Sequence, residues 1–388
     1  MTNRNILFLS AWYPNRYDAM DGLFIRKHAE AASRHANVAV LFLKEAPENK
    51  KIEIEENDFG NVHEFFIYYP SFPNSCIHKI KKTISWIYAY RIGYKHVMGK
   101  WGKPDLIHAN ILTRTGVIAC FINKITGIPF VITEHWSRYL PENFGFNGYL
   151  RRLATRWVVK NTSAVLPISD MLKNEMQRCG ILSNRYKIIY NVVDDFFFQK
   201  EISSTAHDKK MLLHVSCFYE PAKNVKGILR VISSLKEKRD DFELVIIGTG
   251  VDFQSAYDYA GKLDLLDCIT FVGEKSPQEV AQWMHRCDAF VMFSNFETAC
   301  VTIMESLACG KPVVTTPVGI VETDIHTNNG VITPCGDERQ LTQNLDWMLD
   351  HYLDYDGKAI SSEAYKRYSY ETISLKLAAI YDNAIKKH

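Results

Sequence analysis

Short apolar runs alternate along this chain with longer stretches in which apolar side chains return every three or four positions. The runs have the length of strands buried on both faces and the stretches that of amphipathic helices, so the alternation predicts βαβ units around parallel sheets. The segment NILFLS (5–10) reads as a first strand, followed by a loop with Gly22, a helix over about residues 23–35 and the strand VAVLFL (38–43). Further strands are expected at 105–109, 129–135, 164–169 and 187–191, with Ser169 and Asp170 capping the helix that follows the third of these. The rhythm then breaks in NVVDDFFFQKEISSTAHDKK, which is polar, mixed and without period. It restarts with strands expected at 211–218, 242–250, 268–274, 289–294, 311–317 and 330–334. The pattern predicts an α/β chain of two Rossmann-like, doubly wound domains: 1–195 and 211–368, joined by a linker at 196–210. An amphipathic helix over 369–388 is expected to return to the first domain.

Composition adds little to this picture. The 388 residues are 47% hydrophobic and 23% charged, which suits two ordinary cores. A formal net charge of +2 gives no reason to expect nucleic acid as a partner. Nine scattered cysteines, with no C-x-x-C pair, indicate neither a disulfide framework nor a metal site, and metal ligands are expected to be none. The opening apolar run is too short for a signal peptide and no stretch reaches about 18 apolar residues. A cytoplasmic protein, soluble or peripheral on the inner face of the membrane, is the expectation.

The stretch FETACVTIMESLACGKPVV (296–314) carries the chemistry. A helix starting near Thr298 and closed by Gly310 and Pro312 would place Glu305 about 40° from Val301 and about 60° from Ala308, inside its buried arc. An ionised carboxylate there needs a partner. Glu297 lies in the loop before the helix, at the carboxyl end of a strand, where open α/β sheets bind ligands and helix amides favour anions. Two carboxylates two turns apart suit the hydroxyls of one extended ligand.

With the sequence that follows it, this stretch resembles the donor-binding motif of the retaining family 4 glycosyltransferases of the GT-B fold. Gly22, ITEH (132–135), VLPIS (165–169), IIYNVVD (188–194) and LVIIGTG (244–250) fall in that family's order, so the resemblance spans nearly the whole chain. It implies a two-domain enzyme that moves a sugar from a UDP- or GDP-linked donor to a glycan or polyprenyl-linked acceptor, with no cofactor and no bound metal. By the same resemblance Glu297 contacts the donor sugar and Glu305 holds the nucleotide ribose. The amides of Thr298, Ala299, Cys300 and Val301 would meet sugar and diphosphate. Lys223 fills the family's lysine slot on the diphosphate, whereas Cys217 stands in its arginine slot, with Lys226 as a substitute cation. The sequence TAC replaces the usual glycine-rich loop. His135 and Glu297 would position and polarise the sugar as the catalytic pair, and Gly22 would let backbone approach the diphosphate. An epimerase or hydrolase acting on the same donor, or an inactive relative that binds lipid or a partner protein, are the alternatives.

From Phe65 to Pro104 there is no acidic residue, while lysines and arginines interleave with tryptophans and tyrosines. A basic helix with interfacial aromatics over 78–103 fits an anionic membrane surface, or else an ordinary helix packed on the first domain.

Overall fold

The computed structural model describes residues 4–48, 51–71, 76–143, 145–199 and 208–386. The chain forms two compact units: residues 1–168, 173–192 and 373–388 make the first, and 169–172 with 193–372 make the second.

In the first unit, chain order runs β1 (Asn5–Ser10), α1 (Leu23–Ser33), β2 (Asn37–Ala46), β3 (Glu53–Phe59), β4 (Val62–Pro70), α2 (Cys76–Lys100), β5 (Leu106–Asn110), α3 (Thr115–Thr126), β6 (Phe130–Glu134), α4 (Tyr149–Asn161), β7 (Ala164–Pro167) and α5 (Asp170–Arg178). Its seven strands take the order β3-β4-β2-β1-β5-β6-β7. All pairings are parallel except β3 with β4, an antiparallel edge hairpin that the periodicity did not predict. Every residue of β3 is exposed and four of its seven are acidic, so it carries no buried run to read. Such charge is how an open edge avoids pairing with another chain. Conversely, the expected strand at 187–191 does not form. The segment donates from Lys187 and Ile189 to Val165 and Pro167 but reaches only a single bridge at Tyr186, so it borders β7 without extending the sheet.

Register decides which helices share a face. Leu41, Leu9, Ala109 and Ile132 are aligned across β2, β1, β5 and β6, and Leu43, two residues beyond Leu41, is aligned with Ile67. Aligned residues in a parallel sheet point to one side. A Cβ on Gly93 of α2 would lie 2.8 Å from Ile67 and 2.9 Å from Leu41, and one on Gly116 of α3 would lie 3.2 Å from Ile132 and 3.1 Å from Val158 of α4. Helices α2, α3 and α4 therefore cover the same face.

The second unit follows with α6 (Asp195–Phe198), β8 (Lys210–Val215), α7 (Glu220–Lys223), α8 (Val225–Lys236), β9 (Phe242–Ile247), α9 (Phe253–Lys262), β10 (Ile269–Gly273), α10 (Pro277–Arg286), β11 (Ala289–Met292), α11 (Val301–Ala308), β12 (Val313–Thr315), α12 (Val321–Asp324), β13 (Gly330–Ile332), α13 (Glu338–His351), α14 (Gly357–Tyr368) and α15 (Tyr370–Lys386). Its six strands are all parallel, in the order β10-β9-β8-β11-β12-β13, over a core that includes Leu212, Ile232, Leu244, Val291 and Leu345. From Ile373 onward α15 belongs to the first unit, where the Tyr381 hydroxyl bonds to His108 Nδ1 at 2.7 Å on the face opposite α2, α3 and α4.

Gly22 caps α1 in the left-handed region at φ 65°, and a Cβ there would fall 2.4 Å from the carbonyl carbon of Trp12. Its need for glycine thus arises from a backbone contact inside its own unit. Gly22→Ala is expected to cost roughly 2 kcal/mol or more in urea unfolding without any ligand present. An unchanged midpoint would show that the loop relaxes freely.

Candidate active site

The carboxyl ends of β8 and β11 position the central pair of the second unit. Beyond β8 the chain passes Ser216 and Cys217 into the short α7, which ends in Lys223. Gly248 and Gly250 hold this passage in place. A Cβ on Gly248 would be 1.9 Å from the Ser216 carbonyl oxygen, so only glycine lets the two loops touch. Beyond β11 the loop 293–300 is pinned on several sides. Asn295 donates from its backbone to Ala222 at 2.7 Å and from its side chain to Pro221 at 3.0 Å, and Thr316 Oγ1 donates to Ser294 at 2.6 Å. Asn295 thereby ties the loop bearing Glu297 to the segment bearing Lys223. No sequence motif announces this asparagine.

The Lys223 ammonium donates to Glu297 Oε1, which also accepts from Ser294 Oγ at 3.2 Å. Both side chains are largely buried, 15% and 16% exposed. Burial alone would push the lysine down, but the Glu297 carboxylate overrules it, and the net shift is upward. Cys300 lies close enough to feel both charges; burial first, and Glu297 second, hold its thiol well above the usual range and therefore protonated.

The helix expected from Thr298 begins only at Val301. Cys300 is its N-cap in the left-handed region, with φ 60°, so Thr298, Ala299 and Cys300 form a bent lead-in and only the Val301 amide belongs to the first turn. The Thr298 carbonyl accepts from Ser169 Oγ at 2.6 Å and Cys300 Sγ donates to Val318 O at 3.5 Å, which fixes the lead-in in place of the absent glycines. Glu305 is 8% exposed on the buried side of α11, as its periodicity required. Cys217 is exposed. The Lys226 head donates to Ser255 Oγ of α9 at 2.8 Å.

His135 follows β6 in the first unit. It is 5% exposed and its ring lies 4.6 Å from Phe24 and 5.6 Å from His28. Both ring nitrogens are buried without a hydrogen-bond partner among the described residues. Burial, then the nearby His28 and His108, hold it well below its ordinary value, so it is neutral. A neutral imidazole offers one donor and one acceptor. Among the described residues no group of three or more His, Cys, Asp or Glu is placed to hold a metal ion.

The sequence matches the family model Glycosyltransferase Family 4 over residues 28–195 and the model Glycosyl transferases group 1 over residues 195–371. An uncharacterized glycosyltransferase of Methanocaldococcus jannaschii is 28% identical over 302 residues, 76% of this chain and 80% of that one. Among solved structures, sucrose-phosphate synthase from Thermosynechococcus elongatus matches with a TM-score of 0.79 at 17% identity, covering 100% of both chains. HepE of Anabaena, solved with UDP, matches at 0.74 and 17% identity, covering 97% of this chain and 99% of that one. Two parallel Rossmann-like sheets, a charged pair at their strand ends in the second unit, and two adjoining family matches agree: this chain belongs to the glycosyltransferases of family 4 and has the GT-B fold.

Proposed function

We propose that this glycosyltransferase is a retaining, metal-independent enzyme that takes its sugar from a nucleoside diphosphate donor, UDP-linked as the nucleotide in HepE suggests, and delivers it to a membrane-associated acceptor. The observation that carries the reading is the Lys223–Glu297 pair, locked by Asn295 beside the start of α11. In this reading Lys223 neutralises the departing diphosphate together with the amides of Thr298, Ala299, Cys300 and Val301. Glu297 is released from the lysine to accept from donor sugar hydroxyls, and Glu305 accepts from the ribose. The neutral His135 supplies a hydrogen bond to the sugar, and Gly22 keeps its loop close to Trp12. The diphosphate leaves from the face on which the acceptor hydroxyl enters, and its oxygen takes the acceptor proton.

The experiment is calorimetric titration with a panel of nucleoside diphosphates and their sugars, followed by NMR of the anomeric configuration in the product. Glu305→Ala is expected to weaken nucleotide binding about tenfold or more and to affect nucleosides as much as their diphosphates. Intact wild-type protein that binds none of the panel, or an inverted product, would overturn the reading.

Membrane association rests on the helix layer of the first unit. Helices α2, α3 and α4 carry eleven lysines and arginines and no aspartate or glutamate in their 50 residues. Ile84, Ile87 and Tyr88 of α2, Phe121 and Ile125 of α3, and Tyr149, Leu150 and Leu153 of α4 are exposed among them. Ala89, Gly93 and Val97 take the packed side of α2, so the exposed residues are a second, outward face of the same helix. Cations flanking exposed aliphatics suit an anionic bilayer better than a polyanion without an apolar phase. No helix among the described residues is long and apolar enough to cross a membrane. Binding to phosphatidylglycerol vesicles, absent with phosphatidylcholine and lost in Ile84→Ser/Ile87→Ser, is the expected result in a flotation assay.

A further inference from the structure

A cavity of about 210 Å³ in the first unit is lined by Thr113, Arg114, Trp136, Arg138, Arg151 and Ala154. Among the described residues, three arginines and no carboxylate line it. The residues come from two successive strand-to-helix connections: Thr113 and Arg114 follow β5, Trp136 and Arg138 follow β6, and Arg151 and Ala154 sit in the first turns of α4. This is the carboxyl edge of the sheet, the side on which α/β sheets receive ligands.

The arginines are poorly compensated within the protein. Arg138 lies over the Trp136 ring and its Nε is buried without a hydrogen-bond partner among the described residues. Burial first, and the Arg151 charge second, push it down to about 10, with Arg114 also opposing it. Arg151 donates from one terminal nitrogen to the Gly145 carbonyl at 2.7 Å, a neutral acceptor. The carboxylate whose charge Arg138 feels, Glu134, already accepts from the backbone of Leu112, His135 and Trp136 and from the Tyr139 hydroxyl, at 2.9–3.2 Å. Like charges held together in a partly dry cavity cost stability unless an anion enters. Planar guanidinium groups favour oxygens that they can grip in pairs.

Resting on the transferase reading above, we propose that this cavity binds a phosphoryl or diphosphoryl group carried by the acceptor. Arg138 and Arg151 grip its oxygens and Arg114 completes the charge. Tyr149, Leu150 and Leu153 stand exposed on the same turns of α4 as Arg151, so an apolar chain attached to that phosphate has exposed apolar surface next to the cavity. The cavity therefore distinguishes phosphorylated acceptors from neutral ones, and the chemistry required is that of a sugar or prenyl phosphate.

The test is calorimetry on the full chain with inorganic pyrophosphate, after the donor site has been saturated with UDP. Wild type is expected to bind pyrophosphate under this block. Arg138→Gln and Arg151→Gln are expected to lose about tenfold or more, whereas Lys81→Gln and Lys95→Gln on the exposed face of α2 lose little. Wild type that binds no pyrophosphate once UDP is bound, or equal losses in the lysine variants, would overturn the proposal. Should the arginine variants fold poorly, protection of Arg138 and Arg151 from phenylglyoxal by pyrophosphate, read by mass spectrometry in wild type, decides the matter: protection supports the site and its absence rejects it. Phosphatidylcholine vesicles containing a prenyl diphosphate, compared with soluble pyrophosphate, separate a lipid-borne from a free phosphate. Tighter binding to either supports the site. Loss of UDP binding with pyrophosphate retained would sink the donor assignment and leave this cavity standing.

Discussion

Lys223→Met and Glu297→Gln are each expected to lower sugar transfer by about two to three orders of magnitude, the range found when one preorganised charge-stabilising group is removed. The two side chains are paired and largely buried, so either change also strands a charge, and stability should fall in both single variants. The double variant separates the two effects. With neither charge present, nothing is left unpaired, and thermal stability should return toward wild type. Transfer should stay at the level of the worse single variant. A pair that served only the fold would instead recover both together. Nucleotide affinity divides the roles further: Lys223→Met should weaken diphosphate binding, whereas Glu297→Gln should act mainly on turnover and on the sugar-bearing donor.

Acid is expected to unfold the first unit before the second. His28, His108 and His135 are buried there, and His214 in the second unit. Burial holds His28 and His214 at about 4 and the other two well below their ordinary range. Each is neutral when folded and takes up a proton near pH 6.5 when unfolded, so the unfolded chain binds more protons in between. Their stabilisation is complete above about pH 6.5 and is lost as the pH falls from there toward 4. In the first unit Glu134 works against this, because burial raises its pKa and lets the folded state bind a proton. A histidine that stays neutral when folded is worth at most about 1.4 kcal/mol per pH unit in this range, so three in the first unit against one in the second make the first the more acid-sensitive, with Glu134 offsetting part of the difference. Between pH 6.5 and pH 5 the first unit should therefore lose a sizeable part of a total stability of about 5–15 kcal/mol, and more of it than the second unit. Urea unfolding followed by hydrogen exchange at pH 7.0, 6.0 and 5.5 reads each unit separately. Midpoints that do not move, or move equally, would contradict neutral burial of these rings.

Periodicity made the parallel core legible because strands buried on both faces leave unbroken apolar runs, as NILFLS and FELVII do. It failed at β3, an all-exposed edge, at β4, whose buried run 64–69 went unread although β4 pairs in parallel with β2, and at 187–191, an apolar segment whose side chains are partly buried though it never enters the ladder. Glu305 was legible from helical phase alone. The position of Lys223 and Glu297 was implied by the family resemblance, but their mutual pairing and the Asn295 clamp were not, since contacts 74 residues apart leave no local pattern. The helix was expected three residues too early because nothing in TAC signals the left-handed turn that Cys300 makes. The arginine cavity was invisible for the same reason as the clamp: Arg114, Arg138 and Arg151 are separated in sequence and meet only through the β5–β6 pairing and the packing of α3 against α4.

The helix layer on one face of the first sheet also bears on how the protein travels. Its eleven positive charges, with 35 lysines and arginines elsewhere against all 44 aspartates and glutamates, concentrate positive charge on one helix layer of a chain whose net charge is nearly balanced. Near an anionic surface such a molecule experiences a torque before it experiences contact, within about 8 Å at physiological ionic strength. Rotational diffusion would then be biased toward encounters with α2, α3 and α4 leading. Capture would accordingly slow with added salt more steeply than the net charge of +2 suggests, because salt erases the orientation as well as the attraction.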